Sequence, residues 1–373
     1  MHIVQINLQR NLGGGEVYAH FLCKTLTQLG IKSTLLKGDD AACWELLDMG
    51  GTSVVSISDF NPELYNVDET IFISHGPMND ELKRLLVSKF SCWAIAHMPM
   101  YGRNPRVYDG YDQVFGVSQY VVDGLKNAGV ANVYDEPLYG IADLDRLDRS
   151  DTSAFIQNSY FDWDRRKGRD VLFSYLEPFW RFFQSEVPYT KVIKGISLGV
   201  VSRITPIKQF PILFKSIVPV LQKYPHVTLD IFGAGGYASV RDLKKVLSPI
   251  RSQVRFWGEQ RNVAQVYSVI DVLLVGLPEK EAFGLNVLEA QACKVPVLAV
   301  NAPPFVETVK NRVNGWLYTD PRQDNGADFE RALNEVLRKE YKHWNVCLDD
   351  KFTFDRYVER IDKMLRSVAP IEG

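Results

Sequence analysis

Short apolar runs alternate with amphipathic stretches along the whole chain. In the first half the runs His2–Ile6, Ser33–Leu36, Thr70–Ile73, Cys92–His97 and Gln113–Val117 read as strands. Between them, Val17–Leu29, Cys43–Met49 and Glu81–Val87 carry apolar residues at helical spacing, and Ser118 is placed to cap a further helix. The rhythm restarts at Gly195, with strands at Ile196–Val201, Val227–Phe232, Val254–Trp257, Val272–Gly276 and Val297–Val300. Helices are expected at Ile212–Lys223, Asp242–Leu247, Val263–Ile270 and Gly284–Cys293, and two more at Ala327–Leu337 and Tyr357–Val368. Repeated strand–helix units argue two doubly wound parallel sheets in tandem, whose ligands sit beyond the carboxyl ends of the strands, in a cleft between the two. The stretch 143–194 fits neither half: it opens on the acidic run Asp143–Asp148, carries aromatics from Tyr160 to Phe183, and holds Pro178, which is expected to interrupt any long helix. It reads as a connector with an insertion. The expected domains are 1–142, the connector 143–194, 195–350, and a C-terminal helix in 351–373.

At 373 residues, 46% hydrophobic and 24% charged, the chain has the composition of a folded globular protein, not of a disordered or fibrous one. Lys and Arg number 43 against 45 Asp and Glu, so the net charge of −2 supplies no field for nucleic acid, and any anionic ligand must be held locally. The 5 cysteines are widely spaced with no C-x-x-C pair, as expected of reduced thiols, and no signal peptide or membrane-spanning run is evident. A cytoplasmic location is expected, at the inner face of the membrane if the aromatic and basic connector touches lipid.

The most informative segment is Glu281-Ala282-Phe283-Gly284-Leu285-Asn286-Val287-Leu288-Glu289-Ala290, after a strand and a turn at Pro278. Gly284 is expected to open a helix, whose first N–H groups at Phe283, Gly284 and Leu285 and dipole suit a diphosphate. Glu281 precedes the turn, and Glu289 lies five residues into the helix, roughly 7 Å along its axis. Two carboxylates repel bare phosphate, so cations are required, and Arg203 and Lys208 after the strand Ile196–Val201 supply a planar fork and a point charge. Phe232-Gly233-Ala234-Gly235-Gly236 follows another strand and offers close backbone approach to a phosphate or sugar, although glycine after a strand also makes a plain turn.

With these residues the sequence resembles the retaining glycosyltransferases of family 4, which have the GT-B fold: two Rossmann-like doubly wound domains facing a cleft, here with the C-terminal helix returning to the N-terminal domain. The resemblance rests on Glu281-x7-Glu289, on Arg203 and Lys208 at the family's spacing, on Gly233–Gly236, Val254-x-Phe256-x-Gly258, Pro296-Val297 and Asn314-Gly315. It covers most of Gly195–Tyr318; toward the N-terminus it is looser, at the glycine loop Gly13-Gly14-Gly15 after the first strand, at His97 ending a strand and at Ser118. It implies that Arg203 and Lys208 bind the donor diphosphate, Glu289 the ribose and Glu281 the transferred sugar, with Phe283, Gly284, Leu285 and Asn286 giving backbone contacts. Gly233, Gly235, Gly14 and Gly15 join the donor-binding set, and His97 sits where the family places a histidine beside the transferred sugar.

The implied partners are a nucleoside diphosphate sugar, UDP favoured, and a saccharide or glycolipid acceptor held by the N-terminal domain; no cofactor, metal or nucleic acid is expected. Three departures stand out: Gln209 where the family usually has Gly, Glu279 where it has Ser, and Pro303 and Pro304 where it has glycines. His75 also ends a strand, and reads as structural. The triplet Asp162-Trp163-Asp164 imitates a metal-binding D-x-D, but lies in the connector and is discounted. The competing readings are a sugar-nucleotide epimerase or synthase on the same fold, and a non-catalytic sugar-binding protein. An NAD-dependent dehydrogenase is prompted by Gly13–Gly15 and Asp39-Asp40 and opposed by the missing G-x-G-x-x-G.

Overall fold

The computed structural model describes residues 1–10, 13–76, 78–142, 157–163, 168–182, 189, 195–260, 262–339 and 343–368. The run Asp143–Asp148, Asp164 and the basic residues Arg165, Arg166 and Lys167 fall outside the described residues. Two compact units form: Met1–Ile141 joined by the segment that starts at Asp349, and Ala142–Leu348.

The first unit is built on β1 (His2–Asn7), β2 (Lys32–Lys37), β3 (Ser53–Ser56), β4 (Thr70–Ser74), β5 (Ser91–Ala96) and β6 (Gln113–Gly116). All pairings are parallel, in the order β3-β2-β1-β4-β5-β6. β4 is buried at every position, as a parallel strand covered on both faces must be. Its helices are α1 (Gly14–Gln28), α2 (Asp80–Val87) and α3 (Gln119–Asn127), the last capped by Ser118, whose hydroxyl accepts from the Val121 N–H at 3.2 Å.

In the second unit α4 (Gly168–Phe182) precedes β7 (Ile196–Val201), α5 (Phe210–Leu221), β8 (Val227–Phe232), α6 (Tyr237–Leu247) and β9 (Val254–Gly258). Then come α7 (Val263–Val269), β10 (Val272–Leu274), α8 (Leu285–Ala292), β11 (Val297–Val300), α9 (Phe305–Thr308), β12 (Gly315–Tyr318), α10 (Pro321–Asp324) and α11 (Ala327–Leu337). The order β12-β11-β10-β7-β8-β9 is the first sheet's topology repeated, with the same reversal of direction beside the first strand. Period-two alternation divides the core: Ile196, Leu198 and Val200 pack with Phe214, Val240 and Leu333 on one face, while Leu273, Val275 and Trp257 pack with Val266 and Val287 on the other.

The chain then returns. α12 (Phe354–Val368) belongs to the first unit, burying Tyr357, Ile361, Met364 and Leu365 along one face. Tyr357 meets Tyr18 of α1 edge-on at 5.5 Å, Phe354 lies 5.9 Å from Phe21, and Lys363 pairs with Glu136 at 2.6 Å. Each large apolar side chain so buried contributes about 1.5–3 kcal/mol.

Four expectations need correction. Cys43–Met49 is not an α-helix but a single 3-10 stretch at Ala42–Leu46, because a segment this short closes one tight turn and no more. β3 and β12, edge strands of four residues each, escape the apolar pattern. Gly14 and Gly15 are not a loop after β1 but the opening residues of α1. Finally, α4 runs through Pro178. The proline forfeits one backbone bond, and the helix extends only four residues past it. Phe173 anchors it against Trp163 at 5.9 Å and Tyr237 at 6.3 Å.

Candidate functional site

In each sheet the candidate residues gather where strand order reverses, beside β1 and β4 in the first unit and beside β7 and β10 in the second. In the second unit, the segment after β7 carries Arg203 and Lys208, and the segment after β10 carries Glu281 and α8. Gly276 lets these two segments touch: a Cβ there would lie 2.2 Å from the Lys208 carbonyl oxygen. Asn286, in the first turn of α8, donates from Nδ2 to the Val201 carbonyl at 3.0 Å, tying the helix to the end of β7. Gly284 caps α8 at φ 86°, a left-handed conformation that favours glycine. The N–H groups of Leu285 and Asn286 precede any helical acceptor, so the dipole's positive end and two donors lie beside the cationic segment.

Charge is closely matched there. Lys208 Nζ donates to Glu281 Oε2, with side chains 24% and 16% exposed, so this pair is sheltered enough to matter, whereas Arg203 and Asp162 pair at 3.2 Å with both half exposed. Tyr267 donates to Glu289 Oε2 at 2.9 Å; burial, reinforced by the carboxylate, raises that phenol well above its ordinary pKa and keeps it a donor. The departures from the family pattern acquire physical meaning. Gln209 takes the left-handed conformation at φ 53°, which explains a usual glycine. Glu279 is held by Arg322, which also grips Asp320 through its Nε at 2.9 and 3.0 Å, so the turn before Glu281 is pinned to α10. Pro303 and Pro304 lead into α9, which carries Glu307. Among the described residues no group of three or more His, Cys, Asp or Glu side chains is arranged to hold a metal ion.

Gly233 and Gly235 do make a close backbone approach, but to their own chain. Cβ atoms at these positions would lie 2.1 Å from the carbonyl oxygens of Ser202 and Ile204. Their N–H groups are also used, Gly233 donating to Gly258 at 2.7 Å and Gly235 to Tyr160 at 3.1 Å. These glycines therefore shape the segment that carries Arg203 and offer no N–H to a ligand. The aromatic connector likewise packs on the second unit itself: Phe161 stacks on Trp163 at 4.6 Å and on Tyr237 at 6.0 Å.

In the first unit, His97 follows β5 and His75 follows β4, and the rings stack 5.2 Å apart. His75 Nδ1 lies 3.0 Å from His97 Nε2, and His75 Nε2 lies 2.8 Å from Gln5 Oε1 on β1. Gln5 Nε2 donates in turn to Cys23 Sγ at 3.0 Å. Gly15, the second residue of α1, packs on the His97 ring, where a Cβ would sit 3.7 Å from Cγ, and Tyr18, one turn further on, meets that ring edge-on at 5.0 Å. Burial lowers His97 to about 4 and His75 well below its ordinary value, so both imidazoles are neutral at pH 7.

The structure thus brings Arg203, Lys208, Glu281, Phe283, Gly284, Leu285, Asn286 and Glu289 to one edge of the second sheet, and His97, Gly14 and Gly15 to the matching edge of the first. Sequence reasoning missed Gln5, Tyr267 and Arg322 and discounted Asp162. It also set His75 aside, although two histidines ending the neighbouring parallel strands β4 and β5 were signal enough to pair them.

Residues 195–339 match a family model described as Glycosyl transferases group 1. The chain is 28% identical over 170 residues to the N-acetyl-alpha-D-glucosaminyl L-malate synthase of Bacillus anthracis, a match covering 44% of this chain and 43% of that protein. It is 32% identical over 181 residues to the D-inositol 3-phosphate glycosyltransferase of Actinosynnema mirum, covering 45% and 43%. The matched region thus spans less than half the length of these curated relatives. In backbone the chain is similar to Anabaena Alr3699/HepE in complex with UDP-glucose, with a TM-score of 0.69 at 16% identity over 99% of this chain and 100% of that one. Over residues 195–339 the second unit is thus similar to the glycosyl transferases group 1 family, and the chain carries its two parallel sheets in the GT-B fold.

Proposed function

We propose that the protein is a retaining glycosyltransferase that moves a sugar from a nucleoside diphosphate sugar, with UDP as the favoured nucleotide, to a hydroxyl of a saccharide or glycolipid acceptor. Cell-surface polysaccharide or glycoconjugate synthesis is the setting this reading favours. One observation carries it: a sheltered Lys208–Glu281 pair beside Arg203 and the amino end of α8, at the switch point of a doubly wound sheet.

On this reading the donor diphosphate takes over Lys208, adds Arg203 and the first N–H groups of α8, and releases Glu281 to accept hydrogen bonds from sugar hydroxyls. Glu289, steadied by Tyr267, accepts from the ribose. The bond from the anomeric carbon to the diphosphate breaks with its electron pair passing to the phosphate oxygen, whose charge Arg203 and Lys208 stabilise. The acceptor oxygen bonds to the same face of the anomeric carbon, and its proton passes to the departing phosphate oxygen. Arg203 and Lys208 fill the place a divalent cation would otherwise take, so no metal or cofactor is required. His97 is assigned to a hydroxyl of the transferred sugar, Gly14 and Gly15 to donor contacts at the opening of α1, and the rest of the first unit to the acceptor.

The test is a thermal-shift panel of UDP-, GDP- and ADP-sugars with NAD as control, on wild type and Glu289→Ala. At a hundredfold its Kd a ligand stabilises by about 2.7 kcal/mol. A shift with one nucleotide class that vanishes in the variant is expected; a shift with NAD alone, or with none, overturns the reading. Retention is checked by the anomeric configuration of the product.

A further inference from the structure

Four polar side chains from four elements form a single file in the core of the first unit: Cys23 on α1, Gln5 on β1, His75 after β4 and His97 after β5. Gln5 is 0% exposed, Cys23 0% and His75 7%. Burying polar groups costs free energy that hydrogen bonds at best recover, and apolar side chains would fill the same space more cheaply. The file needs a reason beyond packing.

Donor and acceptor rules give it a direction. The Gln5 amide nitrogen faces Cys23 Sγ, so its oxygen faces His75 and can only accept. His75 Nε2 therefore carries the proton. A neutral imidazole has one N–H, so His75 Nδ1 is bare and accepts from His97 Nε2 at 3.0 Å. That uses the one proton of His97 and leaves its Nδ1 with a lone pair. No described protein group hydrogen-bonds to that nitrogen. Its ring lies against Gly15 of α1, where a Cβ would stand at ordinary contact distance, 4.0 Å from Nδ1.

We infer that Gln5 and His75 are positioning residues that fix His97 in the Nε2–H tautomer and present its Nδ1 as an acceptor for a ligand hydroxyl. The neutral state of both rings, imposed by burial, agrees with that geometry. A sugar hydroxyl is the chemistry such a nitrogen recognises: it offers a donor, not a charge, and it meets a neutral acceptor whose orientation is set before the ligand arrives. The assignment of that hydroxyl to the transferred sugar rests on the proposed function; the tautomer does not.

The experiment labels the full chain with 15N-histidine and reads the ring nitrogens by long-range proton–nitrogen NMR, then measures transfer. Wild type should show His97 protonated on Nε2 alone. In His75→Phe the stacked ring remains but the acceptor is gone, and His97 should populate both tautomers, with kcat falling on the order of 10²-fold while the donor KM holds. His75→Asn, whose Oδ1 takes the place of Nδ1, should restore both; His75→Gln, whose amide replaces the other ring nitrogen, should restore neither. A wild-type His97 protonated on Nδ1, which would mean that every bond in the file runs the other way, overturns the inference, as does a tautomer unmoved in His75→Phe. If the tautomers behave as expected while wild type transfers no sugar from any donor, the positioning file stands and the glycosyltransferase reading fails.

Discussion

Two sites built on the same topology use opposite electrostatics. At the switch point of the second sheet, Arg203 with Asp162, Lys208 with Glu281 and Arg322 with Glu279 stand in ion pairs on loops and helix ends. At the equivalent edge of the first sheet the corresponding group is a neutral file, Cys23, Gln5, His75 and His97, sunk into the core. The difference teaches what each edge is suited to hold. Paired ions can exchange partners, so an arriving anion can enter by substitution. A buried neutral file cannot exchange its members and is suited only to orient one.

Removing a charge from the first of these sites should have the largest effect. Arg203→Ala is expected to lower transfer by about 10²–10³-fold, the usual cost of losing one stabiliser of a developing oxyanion, and unchanged turnover in a donor-saturated assay would break the comparison outright. Next is the frame beneath the charged segment. Gly233 has φ 136°, and a Cβ there would lie 2.1 Å from the Ser202 carbonyl oxygen, so Gly233→Ala should cost about 3 kcal/mol or more, read as a lowered denaturation midpoint.

The neutral file predicts a pH signature. His97 falls from 6.5 in the unfolded chain to about 4 when folded, so as pH drops through that window the unfolded state takes up protons that the native state refuses. Its contribution to stability is complete above 6.5 and declines by about 3 kcal/mol by the time pH reaches 4. His97→Phe should flatten the decline in a denaturation series, and an equally steep decline would remove the neutral ring from the account. The smallest effect is a gain. Gln209 holds φ 53° and buries an Oε1 that has no hydrogen-bond partner among the described residues, so Gln209→Gly should raise stability by about 1 kcal/mol, measured by the same denaturation.

Legibility followed sequence distance. The second site was readable because its parts lie in two short stretches, Arg203–Lys208 and Glu281–Glu289, and a helix start with flanking charges is a local pattern. Both sheets were readable because parallel strands buried on both faces are nearly continuous apolar runs, as at Thr70–Ser74. Edge strands such as Ser53–Ser56 lack that covering, and so lack the pattern. The neutral file was not readable, since its members stand at positions 5, 23, 75 and 97 and meet only once β1, β4 and β5 align. Gly233 and Gly235 show the converse: a local glycine pattern was visible, but what approaches it, the backbone of Ser202 and Ile204, is decided by tertiary packing.

The return of α12 to the first unit gives synthesis an order. Residues 142–348 are contiguous and leave the ribosome before the segment from Asp349 onward, so the second unit can close its core while the first still lacks Tyr357, Ile361 and Met364. Until α12 emerges, Tyr18 and Phe21 on α1 have no cover from it, and α1 is the helix that rests on His97. The nascent chain thus carries a nearly finished second unit and an unsealed first one. A chain ending at Leu348 and held on the ribosome by a tether long enough to clear the exit tunnel should display the second unit resistant to protease and the first still open to it.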